Sequence, residues 1–405
     1  MIRIKDLTIE RIIMILFSIL PVVDSVNGIL ITHGMPSIGT VYKLFLLGVL
    51  ALFCLRKGSI QAPILLSCFL IILYIACSIC LNMFVFSGQL INSDFPIKLI
   101  FNVITFALLL NCAKSGQLSG NALYSILNMN TWFMIVMILI PYGLGKGYTI
   151  YSGGIGYKGF FYSNNELSVA LIILFYFSLY RLSQRIRISS IIQLLGITVC
   201  VLLLNTKSGM VACLVGISLF IIEYLFRKGA KYKWCILLAI ALGLLAAKDF
   251  IIAQFLSFMD RQTYLHSLYG GSLLDTIVSG RTFQIETAWA AFISGPGLPL
   301  RLLFGNGFCS NTLIEMDFID IFFYLGIIGV LALTVFLIYV FVKSIPNFKA
   351  DHTTIRLFGY ILIVGYAFLA GHIVFMATAG CYFVLICCLN MLYRPDGQSC
   401  IVENC

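Results

Sequence analysis

The sequence predicts an all-α polytopic membrane protein, and three observations carry that prediction. Of 405 residues, 61% are apolar and only 10% are charged, against roughly a quarter charged in a soluble domain. Mean hydropathy is +1.04. Apolar runs of about twenty residues, the length that crosses a bilayer as a helix, recur along the whole chain. Such a composition cannot cover a water-facing surface, which excludes soluble enzymes, secreted disulfide scaffolds and disordered tails.

Taken in order, the runs predict about 12 spans, at 12–31, 38–55, 62–86, 95–112, 122–142, 166–180, 189–205, 208–226, 234–252, 314–342, 357–371 and 373–393. They make a single polytopic domain over 1–405. The first run is too long for a signal-peptide core and holds Asp24, so it reads as a helix. With 26 Lys and Arg against 16 Asp and Glu, the net charge is +10. An N-in/C-in arrangement puts 17 of those 26 basic residues inside, among them Arg56, Lys114, Arg181, Arg185, Arg187 and Arg356. Only six fall outside, and Lys43, Lys98 and Lys248 lie within spans. That asymmetry is the positive-inside pattern, so the excess charge needs no nucleic acid to explain it. Of 14 cysteines, Cys309 alone falls clearly in an outer loop, which leaves no partner for an outer disulfide.

Two outer connections stand out. Residues 143–165 are rich in Gly and aromatic residues, and 253–313 form a large extracytoplasmic loop. Within the latter, 278–293 has helical spacing of Phe283, Thr287, Ala290 and Ala291, which predicts an amphipathic helix lying along the outer interface. Long ordered loops are usually functional.

Ionisable residues inside a bilayer are costly and mark function. Here Asp24, Lys43, Lys98, Glu166, Lys248, Asp249, Glu315, Asp317, Asp320 and His372 fall toward the outward ends of their spans, and only Glu223 falls clearly in the cytoplasmic half. Asp24 and Lys43 suit a structural pair between neighbouring helices. Transporters keep their polar sites near the midplane on repeated, interrupted helices. Neither feature is visible, so the pattern points to chemistry at the outer leaflet. Gly154, Gly156 and Gly159 make a literal G-x-G-x-x-G, but without the strand and helix a dinucleotide fold requires. What remains is either a loop whose Lys158 and backbone amides suit an anion or a simple interfacial loop anchored by its aromatic residues. No spacing suited to a metal appears among four histidines. Asp317 and Asp320, three apart at a helix start, project from one face, with Glu315 just before them. Arg281, Arg301 and Arg261 share the large loop, and arginine grips phosphate through a bidentate fork.

Several segments together resemble the bacterial O-antigen polymerase and O-antigen ligase family. They are Pro21-Val22-Val23-Asp24 with Asn27-Gly28, Lys158-Gly159-Phe160-Phe161 with Asn164-Asn165-Glu166, and Thr206-Lys207-Ser208-Gly209. Ser279-Gly280-Arg281 with Trp289, Leu303 to Gly307, and Glu315 to Gly329 complete the set. Ligase members carry His-Asn where this chain has Glu315-Met316, which leans toward a capsule or exopolysaccharide repeat-unit polymerase. The resemblance implies a metal-independent, cofactor-free glycosyltransferase in the bacterial cytoplasmic membrane. Its substrate would be undecaprenyl-pyrophosphate-linked oligosaccharide, with membrane lipids and a chain-length regulator as partners and no nucleic acid. Arg281, Asp317, Asp320 and Glu315 are then the catalytic candidates, and Lys158, Lys207 and Arg301 the pyrophosphate-binding ones. A lipid-linked oligosaccharide flippase and a glycan ligase are the alternatives.

Overall fold

The computed structural model describes residues 4–56, 61–86, 90, 94–150, 156–226, scattered positions between 234 and 263, and then 281–309, 314–350, 354–369 and 373–393. The described residues are helical, with no strand beyond one isolated bridge between Thr149 and Tyr157. The helices are α1 (Ile4–Ser18), α2 (Leu20–Thr32), α3 (Ile38–Arg56), α4 (Ala62–Cys80), α5 (Asp94–Lys114), α6 (Gly120–Gly143), α7 (Asn164–Gln184), α8 (Ile188–Leu204) and α9 (Lys207–Phe226). After them come α10 (Arg281–Ser294), α11 (Leu298–Phe304), α12 (Asp317–Ala350), α13 (Ile355–Leu369) and α14 (Ala377–Leu392).

Seven of these helices are long and apolar enough to cross a membrane: α3, α4 with its extension to Val85, α5, α6, α7, α9 and α12. The α1–α2 pair, bent by 40° between Ser18 and Leu20, makes an eighth if it counts as one span, and α8, α13 and α14 are shorter apolar helices. The expected span at 234–252 lies mostly outside the described residues, as do Arg261, Gly154, His372 and most of 253–280.

Burial sorts the helices by position. In α7, 83% of the apolar window is buried, against 12% in α4. Every residue from Leu167 to Tyr180 is buried, and a helix that is apolar all round belongs in the middle of a bundle. α7 packs against α6, α8, α9, α13 and α14. α4 leaves Leu66, Phe69, Leu70 and Leu73 exposed, the pattern of a helix facing lipid.

Contacts between helix ends tell the two ends of the bundle apart. One end gathers the starts of α3, α7, α12 and α14, as shown by Lys43 reaching Thr378, Glu166 binding the Thr378 amide and Asp317 binding the Ile373 amide. The opposite end gathers the Glu10–Ser119, Glu223–Thr354 and Arg356–Asn390 contacts. Phe226 ends α9 near the second set, whereas Arg281 opens α10 in the first.

One irregularity positions the site. α12 breaks at Gly326 (φ 67°, ψ −166°), a left-handed conformation that glycine adopts readily. The break frees helix carbonyls, which must find other donors away from water. Phe323 O accepts from Asn306 N at 2.7 Å and Tyr324 O from Gly307 N at 2.9 Å. On the other side, the Tyr74 hydroxyl donates to Leu303 O and Leu325 O, and Ser78 Oγ donates to Phe304 O at 2.6 Å. A Cβ on Gly326 would sit 2.3 Å from Leu303 O. The Leu303–Gly307 and Leu325–Gly329 motifs are therefore the two halves of one joint.

Candidate functional site

Arg281 opens α10, and its Nη2 meets Glu315 Oε2 at 2.9 Å. Its Nε donates to Ile314 O at 3.1 Å. Asn165, in the first turn of α7, donates from Nδ2 to the same Glu315 oxygen at 3.2 Å. Three segments far apart in sequence thus converge on one carboxylate.

Glu315 sits at φ 64°, a conformation that costs a non-glycine residue about 1–2 kcal/mol. Asp320 holds it there. Its Oδ1 accepts from Ile314 N at 2.9 Å and its Oδ2 from Met316 N at 3.0 Å, so one buried carboxylate clamps the main chain on both sides of Glu315. Asp317 does the same for another loop, accepting from Ile373 N at 2.7 Å and from Val374 N at 3.4 Å. Asp317 and Asp320 are both 0% exposed, whereas the Glu315 side chain is 40% exposed. The sequence expectation that the two aspartates present a reactive face is thereby revised. Their oxygens are occupied by amides, and Glu315 is the accessible acid.

A partly buried polar strip runs on from this site. Glu166 Oε2 accepts from Thr378 N at 3.2 Å. Thr378 Oγ1 accepts from Lys43 Nζ at 3.0 Å, and Lys43 pairs with Asp24 Oδ1 at 2.6 Å, realising the expected structural pair. On the other flank, Tyr366 of α13 lies beside Ser168 and Ser208 and within electrostatic reach of Arg281 and Glu315. Ser168 Oγ is 3.0 Å from Thr206 Oγ1. The Asn164–Glu166 and Thr206–Ser208 motifs therefore meet at the same place.

The expected phosphate-binding residues divide. Lys207 opens α9 between Thr206 and Ser208, beside the cluster. Lys158 donates to Tyr162 O at 2.7 Å, and partial burial pulls its ammonium below the ordinary lysine pKa. Its loop lies against α2, where a Cβ on Gly28 would fall 1.9 Å from Phe160 O. Arg301 belongs to a different nest. Its Nε and Nη2 donate to Asn306 Oδ1 at 2.8 and 2.6 Å, and its guanidinium lies 4.9 Å from the centroid of the Phe292 ring. Burial lowers its pKa from the usual arginine value. Arg301 thus braces the turn that receives the α12 break.

The helix expected within 278–293 is α10. Ala288 and Phe292 pack toward Met316 and Phe323, while Phe283, Thr287, Ala290 and Ala291 are exposed together on another side. Sequence reasoning missed Tyr366 and Thr378 as neighbours of the site. A hydroxyl in an otherwise apolar run was the only signal available for either. No protein-family description matches this chain, and no curated protein does either.

Proposed function

We propose that the protein joins undecaprenyl-pyrophosphate-linked oligosaccharide repeat units at the outer face of the bacterial cytoplasmic membrane. The observation that carries this reading is the Arg281–Glu315–Asn165 constellation, half-open at one end of an apolar bundle. The basic residues Arg181, Arg185, Arg187 and Arg356 lie toward the opposite end, so the positive-inside rule turns the constellation outward. The crossings beyond the seven or eight long helices, including one at 234–252, belong to this proposal.

The chemistry follows from the charges. An incoming pyrophosphate competes with Glu315 for Arg281, since arginine binds phosphate through a bidentate fork whereas Glu315 takes its Nη2 and Ile314 O its Nε. Glu315 is then released next to the acceptor sugar and takes the proton of the attacking hydroxyl. The hydroxyl oxygen bonds to the anomeric carbon, the bond from that carbon to the phosphate oxygen breaks, and the lipid pyrophosphate leaves with its electron pair. Arg281, helped by Lys207 and Lys158, stabilises the charge that develops there. Asp320 and Asp317 act as positioning residues through the loops they hold. Asn165 and Tyr366 orient Glu315.

Arg281→Ala tests the reading in cells that depend on this gene for polymer. The expected outcome is normal protein abundance, no polymer, and single repeat units exposed on the outer face. Polymer of normal length from that variant removes Arg281. Repeat units trapped facing the cytoplasm identify a flippase instead, and intact polymer left unattached identifies a ligase.

A further inference from the structure

At the end of the bundle opposite Arg281, the C-terminus of α7 and the start of α8 border an open cavity of about 460 Å³. Arg181, Arg185 and Arg187 line it, together with Tyr124, Ser190 and Tyr393. Among the described lining residues there is no aspartate or glutamate. The mechanism above uses none of these groups.

The sequence explains how three guanidinium groups reach one space. Arg181 lies in the last turn of α7 and Arg185 is the residue that ends it, so both leave from the same end of the helix. Arg185 and Arg187 are extended (φ −148°, ψ 119° and φ −128°, ψ 149°), and extended residues two apart point the same way. Ile186, between them, is exposed away from the cavity. All three arginines lie within electrostatic reach of the Tyr124 phenol. Arg181 is held in place through Nη1, which donates to Asn128 Oδ1 and to Gln193 Oε1. Tyr124 stacks on Tyr393 in the wall, with ring centroids 5.1 Å apart. The 17-residue α8 begins at the rim with no side chain capping its first turn, adding the positive end of its dipole.

We propose that this cavity binds a phosphate-bearing anion, either the headgroup of an acidic phospholipid or a free phosphate compound. Three arginine forks, tyrosine and serine hydroxyls and a helix N-terminus are the donors that phosphate oxygens accept from. The volume falls within the range of small-ligand sites, which suits a substituted phosphate such as a phosphoglycerol headgroup. Scattered interfacial arginines that merely snorkel would not line one shared concavity.

Native mass spectrometry of the purified full chain, exchanged into detergent with phosphatidylcholine, tests this directly. The probes are phosphatidylglycerol in one arm and inorganic pyrophosphate in the other. Retention of phosphatidylglycerol over phosphatidylcholine identifies a lipid headgroup site, and retention of pyrophosphate alone identifies a soluble ligand. In either arm, the double variant Arg185→Gln/Arg187→Gln should bind about tenfold or more weakly, and Ile186→Ala should bind as the native chain does. Should the double variant fold poorly, raising salt from 50 to 500 mM on the native chain must weaken retention several-fold. The proposal is overturned if neither probe is preferred over phosphatidylcholine, if the double variant binds normally, or if salt has no effect. Glycan polymerisation does not enter this readout, so its outcome is separate from that of the Arg281 test.

Discussion

At the end of the bundle that holds Arg281, three cations face carboxylates, Lys43 with Asp24, Lys98 with Asp94 and Arg281 with Glu315, while Lys158 and Arg301 donate to the neutral Tyr162 O and Asn306 Oδ1. At the opposite end, Arg181 faces the amides of Asn128 and Gln193. There Arg356 donates to the side chain of Asn390 and to carbonyls of Leu389, Asn390 and Tyr393, with Tyr180, Phe348 and Tyr393 rings around it. Among the described residues, the carboxylates of Glu10 and Glu223 at that end bind the amides of Ser119 and Thr354. The contrast has a physical meaning. A matched pair cancels its own field and opens only when a competing charge replaces one member, which suits a reaction site. A cation among neutral acceptors keeps its field, which suits steady attraction of anions.

The most damaging way to test that contrast is Asp24→Asn. The Lys43 ammonium stays buried with Thr378 but without its counter-charge, so stability should fall by about 3–5 kcal/mol. Thermal unfolding in detergent measures it, and a much smaller loss means the pair is not sealed from water. Arg356→Met removes a cation but leaves no charge behind, so it should cost about 2–3 kcal/mol in the same assay. A loss as large as that of Asp24→Asn would erase the distinction between the two ends.

Asp320→Asn sharpens the comparison within the site. One oxygen that accepts from Ile314 N or Met316 N becomes a donor facing a donor, which should cost about 1–2 kcal/mol. Because the clamp on Glu315 loosens, polymer length should fall as well. Glu315→Gln is the smallest in stability, below about 1 kcal/mol, because a partly exposed pair is screened by solvent. Its effect on polymer should nonetheless be near complete. A Glu315→Gln protein that still makes long polymer would move the base elsewhere, with Glu166 next to be tried.

Much of this fold was legible from local pattern. Hydropathy over twenty residues is a property of the segment itself, so α3 to α9 fall where apolar runs place them, and the heptad-scale spacing within 278–293 locates α10. The Asp24–Lys43 pair was also readable, because helices joined by a short turn are neighbours. Two features escaped. The run 314–342 reads as one span, yet α12 breaks at Gly326, since the donors that relieve the break come from Asn306 and Gly307 on another segment. Asp317 and Asp320 read as one reactive face by their spacing. Their partners, Ile373 and Val374 for one and Ile314 and Met316 for the other, are set by how two loops fold back over α12.

Composition and periodicity by themselves determined that this chain is a helical membrane protein, where its helices fall and which of their ends carry the ionisable groups. Those properties depend on transfer of local segments from water to an apolar medium, a sum taken residue by residue. Only the tertiary structure decided which acid is open and which are clamped, that Asn165 and Tyr366 join Arg281, and that Arg181, Arg185 and Arg187 share a cavity. Hydrogen bonds and ion pairs act over a few ångströms, so their partners are fixed by which segments the packed bundle brings within reach.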